Sequence, residues 1–152
     1  MFSVSTKAQY GIRALVHLAR GEESGGPEGL GAIVSSGAAT VDSIVTGSAI
    51  AKAENISPKY LEGILAQLTS AGLLLSERGK RGGYRLSRPA SSITMLEIVE
   101  ALEGEIRPVG CVDSLELCSQ GQGCLPRRFW LGLKGSIDGY LSSRTLRDII
   151  DA

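Results

Sequence analysis

No apolar run in the chain approaches the roughly 20 residues that a membrane-spanning helix needs. The opening "MFSVSTKAQYGIRALVHLA" lacks the charged, apolar and small-residue order of a secretory leader. A cytoplasmic protein with no membrane partner is the expectation. Histidine occurs once, at His17, far in sequence from the cysteines. No paired acid–base motif and no phosphate-binding loop occurs either, which argues against an enzyme. Net charge is absent too: 16 basic residues face 16 acidic ones. That balance argues against a general polyanion binder but leaves room for a concentrated basic tip that holds phosphates locally. Cysteine is scarce and odd in number. All three, Cys111, Cys118 and Cys124, fall in "GCVDSLELCSQGQGCLP", residues 110–126. In a reducing compartment an odd, clustered set makes a poor disulfide framework, because one thiol is always left over. A chain of 152 residues forms about one domain and can bury a real core.

What is present is unevenly placed. Residues 77–88, "ERGKRGGYRLSR", hold five basic residues against one acidic, a local charge of +4, whereas residues 95–116 hold six acidic against one basic, −5. From Ser5 to Arg20 the apolar residues Ile12, Leu15, Val16 and Ala19 recur at helical spacing, with Arg13, His17 and Arg20 on the opposite, polar face. That face makes His17 a simply exposed histidine. Residues 21–45, rich in Gly, Ser and Ala, read as a loop or weakly structured insertion.

Thr46 then caps a short segment, "GSAIAKAEN", followed by "ISPKYLEGILAQLTSAGLL". Ser57 is placed as an N-cap, Pro58 suits the first helical position, and Tyr60, Leu61, Ile64, Leu65 and Leu68 form the buried stripe of a helix that Gly72 ends. Two helices joined by a short turn have the helix-turn-helix outline, which alone is weak. Immediately behind comes "LLLSERGKRGGYRLSRP", a strand, a glycine-rich basic turn and a second strand ended by Pro89. Helix-turn-helix plus basic hairpin is a winged helix. The second helix would enter a major groove, and the hairpin would present Lys80 and Arg81 to phosphates or a minor groove.

Thr94 and Glu97 form a capping box for a helix stopped by Gly104. After the cysteine loop, Pro126 opens a long helix with Trp130, Leu133, Ile137, Tyr140 and Leu141 in a seam, beside a small-residue stripe of Gly132, Gly135, Ser136, Gly139 and Ser143. Each interior glycine costs about 1 kcal/mol against alanine. A close partner is needed to offset this, either the chain's own core or the same helix of a second subunit related by twofold symmetry. The second option is preferred, since a dimer reads a palindromic operator.

The fold class expected is therefore mainly α with a small β hairpin, a winged helix-turn-helix plus a long C-terminal dimerisation helix. Residues 1–90 would form the DNA-binding domain, with an insertion at about 27–45, and residues 91–152 the cysteine loop and dimerisation helix. For the cysteines themselves, spacing leaves three readings open. They are buried or incidental thiols, an iron–sulfur cluster for which thiolates are the preferred ligands, or zinc or a redox switch. Zinc usually shows paired Cys-x-x-Cys spacing, absent here.

Together "STKAQYGIRALVHLA", "ISPKYLEGILAQLTSAGLL", "RGKRGGYRLSRP", "ITMLEIVEALEG" and the trailing cysteine trio resemble the Rrf-two (Rrf2) family of bacterial winged-helix transcription regulators. The likeness covers nearly the whole chain except residues 27–45. It implies a homodimer whose long C-terminal helices cross, with the cluster loop near the partner's DNA-binding domain. It also implies Ser57, Lys59, Tyr60 and Glu62 as recognition-helix readers, and Lys80, Arg81, Gly82, Gly83 and Tyr84 as wing readers. Tyr60 also fits the core by its spacing. Cys111, Cys118 and Cys124 match the family's cluster ligands in order, with six residues between the first two where some members have five.

The usual fourth ligand is missing. One iron–sulfur group of the family places a histidine where this chain has Arg127, and another draws an aspartate from the partner's first helix where this chain has Gln9. The resemblance then implies a 4Fe-4S cluster, with 2Fe-2S the alternative, whose fourth iron takes a weak or exchangeable ligand such as Glu105, Asp113, Glu116 or a small molecule. Such a regulator would sense iron–sulfur status, oxygen, redox or nitric oxide. Two other readings stand beside it: a cluster-free thiol or zinc redox switch on the same scaffold, and a regulator that docks on an enzyme through protein–protein contacts.

Overall fold

The computed structural model describes residues 4–23, 44–80, 82–112 and 123–152. Most of the expected insertion, Arg81, and residues 113–122 with Cys118, Asp113 and Glu116 lie outside the described residues.

Helix α1 (Thr6–Glu23) buries Ala8, Ala14, Leu15, Leu18 and Ala19, each no more than 3% exposed, with Ile12 and Val16 half-buried beside them. Its polar face is less idle than expected: His17 is half-buried, its Nδ1 3.4 Å from Glu54 Oε1, because the next helix packs across that side. Helix α2 (Gly47–Glu54) starts on Thr46, whose hydroxyl accepts a hydrogen bond from Ala49 N at 3.2 Å, and ends at Asn55 in the left-handed region, φ 53°. Short polar side chains tolerate that conformation, so asparagine makes the corner. Buried Ile56 then anchors the entry to α3 (Pro58–Ser70), which turns Leu61, Ile64, Leu65 and Leu68 into the core.

Two details differ from the sequence expectation. Ser57 stands at the N-cap position but makes no side-chain cap hydrogen bond; its carbonyl accepts from Leu61 N instead. Pro58 removes only the first N–H of the helix, a donor that needs no partner there, and nothing in the structure explains the unused hydroxyl. Tyr60 is not in the core stripe but 43% exposed.

Strands β1 (Leu74–Glu77) and β2 (Gly83–Leu86) pair antiparallel in the register Leu74↔Leu86 to Glu77↔Gly83, with Leu74 and Leu86 buried. Val45 adds a further rung to β2, its N–H and carbonyl exchanging hydrogen bonds with Tyr84 at 2.9 and 2.8 Å. Gly83 makes that approach possible, since a Cβ there would stand 2.5 Å from the Val45 carbonyl oxygen.

Helix α4 (Met95–Glu103) carries the expected capping box between Thr94 and Glu97 and stops at Gly104, φ 82°. A second box, Thr145 with Asp148, starts a short helix α6 (Leu146–Ile150) that the sequence reading did not assign. Met95 N–H donates to Arg144 O and Leu146 N–H to Ile93 O, both at 2.8 Å, so α6 is sewn to the start of α4. Ile93, Ile98, Leu102 and Leu146 share one core with α1, α2 and α3. Helix α5 (Leu125–Ser143) lies differently: no residue of it is fully buried, and Phe129 and Tyr140 are 66% and 62% exposed.

Candidate nucleic-acid interface and cysteine loop

The four residues expected to read bases, Ser57, Lys59, Tyr60 and Glu62, are all exposed on α3, opposite its buried leucines and isoleucine. They lie in its first turns, the part of a recognition helix that meets base edges. Tyr60 is steadied from α1, its ring edge-on to Tyr10 with centroids 6.0 Å apart. Arg13 sits over Tyr10, 5.6 Å from its centroid, and donates Nε to Glu54 Oε2 at 3.0 Å and Nη2 to the Glu54 carbonyl at 2.6 Å. No sequence signal marks Arg13 and Glu54 as partners, since they lie on different helices 41 residues apart.

The wing's charge is divided by its own contacts. Arg85 pairs with Glu77 across the hairpin at 3.3 Å, and Arg88 pairs with Glu97 of α4. Lys80 and Arg78 are exposed at the tip with no ion pair to any described residue. Gly82 and Gly83 are half-buried and shape the hairpin: the Gly82 N–H donates to Gly79 O at 2.9 Å, and Gly83 admits Val45. Tyr84 is half-buried and packs against the core, with only part of its surface outward. Arg81 lies outside the described residues.

Cys111 sits in a 3-10 turn, Gly110–Val112, and Cys124 is the N-cap of α5; both thiols are free and half-buried. Arg127, one turn into α5, joins the two ends of the loop. Its Nε donates to Cys111 O at 2.9 Å and its Nη2 to Val112 O at 3.3 Å. The residue in the place of the family's histidine thus holds the loop's backbone through its guanidinium, which offers donors and no lone pair to a metal. Gln9 Nε2 donates to Val4 O at 3.2 Å. Glu105, a candidate fourth ligand, is engaged by Lys134 and Arg107, each at 3.3 Å, and hydrogen bonding from Lys134 above all holds its carboxyl below the ordinary glutamate value. Lys134 is raised in turn, chiefly by Asp138.

Among the described residues no three histidine, cysteine or acidic side chains converge as a metal site, and Cys118 is outside them. The two thiols that are described suit a thiolate-ligated cluster in kind, being free and standing at the two ends of one loop.

An asparagine-cornered helix pair followed at once by a basic-tipped hairpin defines a winged helix-turn-helix protein. Residues 4–152 match the family described as Rrf2, iron-dependent transcriptional regulator, and the chain belongs to that family. Its relatives include IscR of Cereibacter sphaeroides, 34% identical over 149 residues that make up 97% of this chain and 86% of the relative. CymR of Bacillus subtilis is 31% identical over 146 residues, 96% of this chain and 88% of the relative. Among solved structures, CymR, described as the global cysteine regulator of B. subtilis, superposes with a TM-score of 0.72 at 30% identity, covering 99% of this chain and 98% of that one. T. potens IscR gives 0.69 at 30%, covering 99% and 87%. The relatives named are thus transcriptional regulators of two kinds.

Proposed function

We propose that the protein is a homodimeric, cytoplasmic transcriptional regulator whose affinity for a palindromic operator is set by an iron–sulfur cluster held on Cys111, Cys118 and Cys124. The observation that carries the reading is the Arg127 bridge. It ties the Cys111 turn to the helix that Cys124 caps, so chemistry at the thiols acts directly on the position of α5. When bound, the cluster would supply a redox- and ligand-sensitive group that is open to attack by oxygen or nitric oxide and to loss of iron. The chain's own part is to hold the thiols, pin the loop backbone through Arg127 and present α3 and the wing to DNA.

A groove of about 830 Å³ between α4, the 104–108 segment and α5 is lined by Val99, Ile106, Trp130, Leu133 and Ile137. With the exposed Phe129 and Tyr140 beside it, this face supports pairing with α5 of a second subunit. Binding that shifts the two recognition helices relative to each other changes operator affinity; a coupling of about 1–3 kcal/mol gives about a 5- to 150-fold change.

Arg127, Gln9 and Glu105 each have partners within the chain, while the other candidates, Asp113 and Glu116, lie outside the described residues. With a guanidinium at 127 and an amide at Gln9 in place of a histidine and an aspartate, the chain supports a 4Fe-4S cluster with one exchangeable position over a fully protein-ligated 2Fe-2S one. Anaerobic reconstitution with iron and sulfide, followed by absorption and Mössbauer spectra, should give a 4Fe-4S signal that Cys111→Ser and Cys124→Ser abolish. A colourless protein, or one holding zinc alone, overturns the cluster. That outcome would move the reading to one of the cluster-free alternatives on the same scaffold, a thiol or zinc switch or a regulator that docks on an enzyme.

A further inference from the structure

We propose that Tyr10 and Arg13 of α1 are positioning residues for DNA reading, holding Tyr60 of α3 in place before DNA arrives. This rests on α3 being the reading helix. Tyr60 stands in the first turn of α3 and is 43% exposed, so its ring would otherwise turn among rotamers. It meets Tyr10 at an interplanar angle of 79°, the edge-to-face arrangement that aromatic quadrupoles favour. Tyr10 is fixed in its turn by the Arg13 guanidinium over its ring, a cation–π contact. Arg13 is fixed by its two donors on Glu54, one to the carboxylate and one to the backbone carbonyl. Glu54 is the last residue of α2, immediately before the left-handed corner at Asn55.

The chain Glu54, Arg13, Tyr10, Tyr60 therefore runs from the end of the first helix of the motif to a reading side chain of the second. It bypasses the turn and passes through a helix outside the motif. Neither α1 residue is placed to touch DNA in this role: Tyr10 is half-buried and the Arg13 fork is committed to Glu54. Their effect falls on ordering Tyr60 ahead of binding, which lowers the cost of immobilising it in the complex.

The test uses the full-length chain. A duplex is selected by the wild-type protein from a randomised palindromic library, and a scrambled duplex of the same composition serves as reference. Tyr10→Leu and Arg13→Gln are expected to weaken the selected duplex about 2- to 10-fold, leaving the scrambled duplex and the slope of log affinity against log salt unchanged. Tyr10→Phe, which keeps the ring, is expected to match wild type, and Tyr10→Leu to cost nothing further in a Tyr60→Ala background. Arg13→Gln changes an exposed side chain and carries the same prediction should Tyr10→Leu fold poorly. The proposal is overturned by a salt slope reduced by about one phosphate contact in either variant, by a Tyr10→Phe as weak as Tyr10→Leu, by wild-type affinity in Tyr10→Leu and Arg13→Gln alike, or by additive losses in the double variant. If the wild-type chain selects no duplex at all, DNA reading by α3 falls first and takes this proposal with it.

Discussion

A basic residue contributes to phosphate binding only if nothing in its own protein already claims it. Of the wing's basic residues, Arg85 and Arg88 are claimed by Glu77 and Glu97, while Lys80 stands exposed at the tip. Lys80→Ala is expected to weaken all duplexes uniformly and to lower the salt slope by about one, whereas Arg88→Ala should leave the slope as it is. A salt titration of both variants checks the pair. Glu62 is suited to accept from a cytosine amino group, and Glu62→Ala should relax discrimination at one base pair by about 1–3 kcal/mol, measured with single-position variants of a selected duplex. Gly83 is a residue of shape: Gly83→Ala drives a Cβ against the Val45 carbonyl, backbone that cannot simply rotate away. A loss of about 1–3 kcal/mol in chemical denaturation is expected. The run of charges at 77–88 was legible as a string; which of them remain unpaired was not, because Glu97 lies on another element.

Helix ends, by contrast, are local. Thr94 and Glu97 lie three residues apart, and the box they form appears in the fold as the spacing implies, with Thr94 N–H on Glu97 Oε2 at 2.8 Å and Glu97 N–H on the Thr94 hydroxyl at 3.3 Å. Hydrogen bonding from the Thr94 backbone, then from its hydroxyl, and the nearby Arg88 hold Glu97 below its ordinary value of 4.5. A carboxyl depressed in the folded state contributes stability that is present above its unfolded value and lost as pH falls through the folded one. The decline should therefore begin near pH 4.5 and continue below it. Glu97→Gln should remove that part of the pH dependence, and Thr94→Ala should cost about 1 kcal/mol at neutral pH; urea denaturation from pH 7 down to 3 measures both. The same spacing of Thr145 and Asp148 starts α6, which is only five residues long. Ser57 shows the opposite case, a favoured cap residue whose hydroxyl makes no cap hydrogen bond.

Across the whole molecule, α1 to α4 and α6 close on one core while α5 keeps an apolar face outward. At Gly132, Gly135 and Gly139 an added Cβ would meet nothing within 4 Å, so these three glycines of the small-residue stripe face open space among the described residues. Pairing with a second α5 would bury that face and offset the cost of its glycines. Phe129→Glu, at a site 66% exposed, is expected to shift the chain from dimer to monomer in sedimentation equilibrium, with its circular dichroism otherwise kept in the α1 to α4 core. Loss of the dimer should also weaken a palindrome far more than a half-site, since the second half-site's contacts vanish together.

Local chemistry, then, was determined by the sequence alone: the amphipathic stripes of α1 and α3, the caps at Thr46 and Thr94, the hairpin with its basic tip, and three clustered thiols. These depend on residues within about one or two turns of each other, where spacing is geometry. The tertiary structure decided the assignments that depend on who stands opposite. It turned Tyr60 outward onto Tyr10, placed His17 and Arg13 about Glu54, drew Tyr84 inward and made Arg127 a clamp on the cysteine loop. Each of those residues has two chemically reasonable fates, and only the packing of distant segments selects between them.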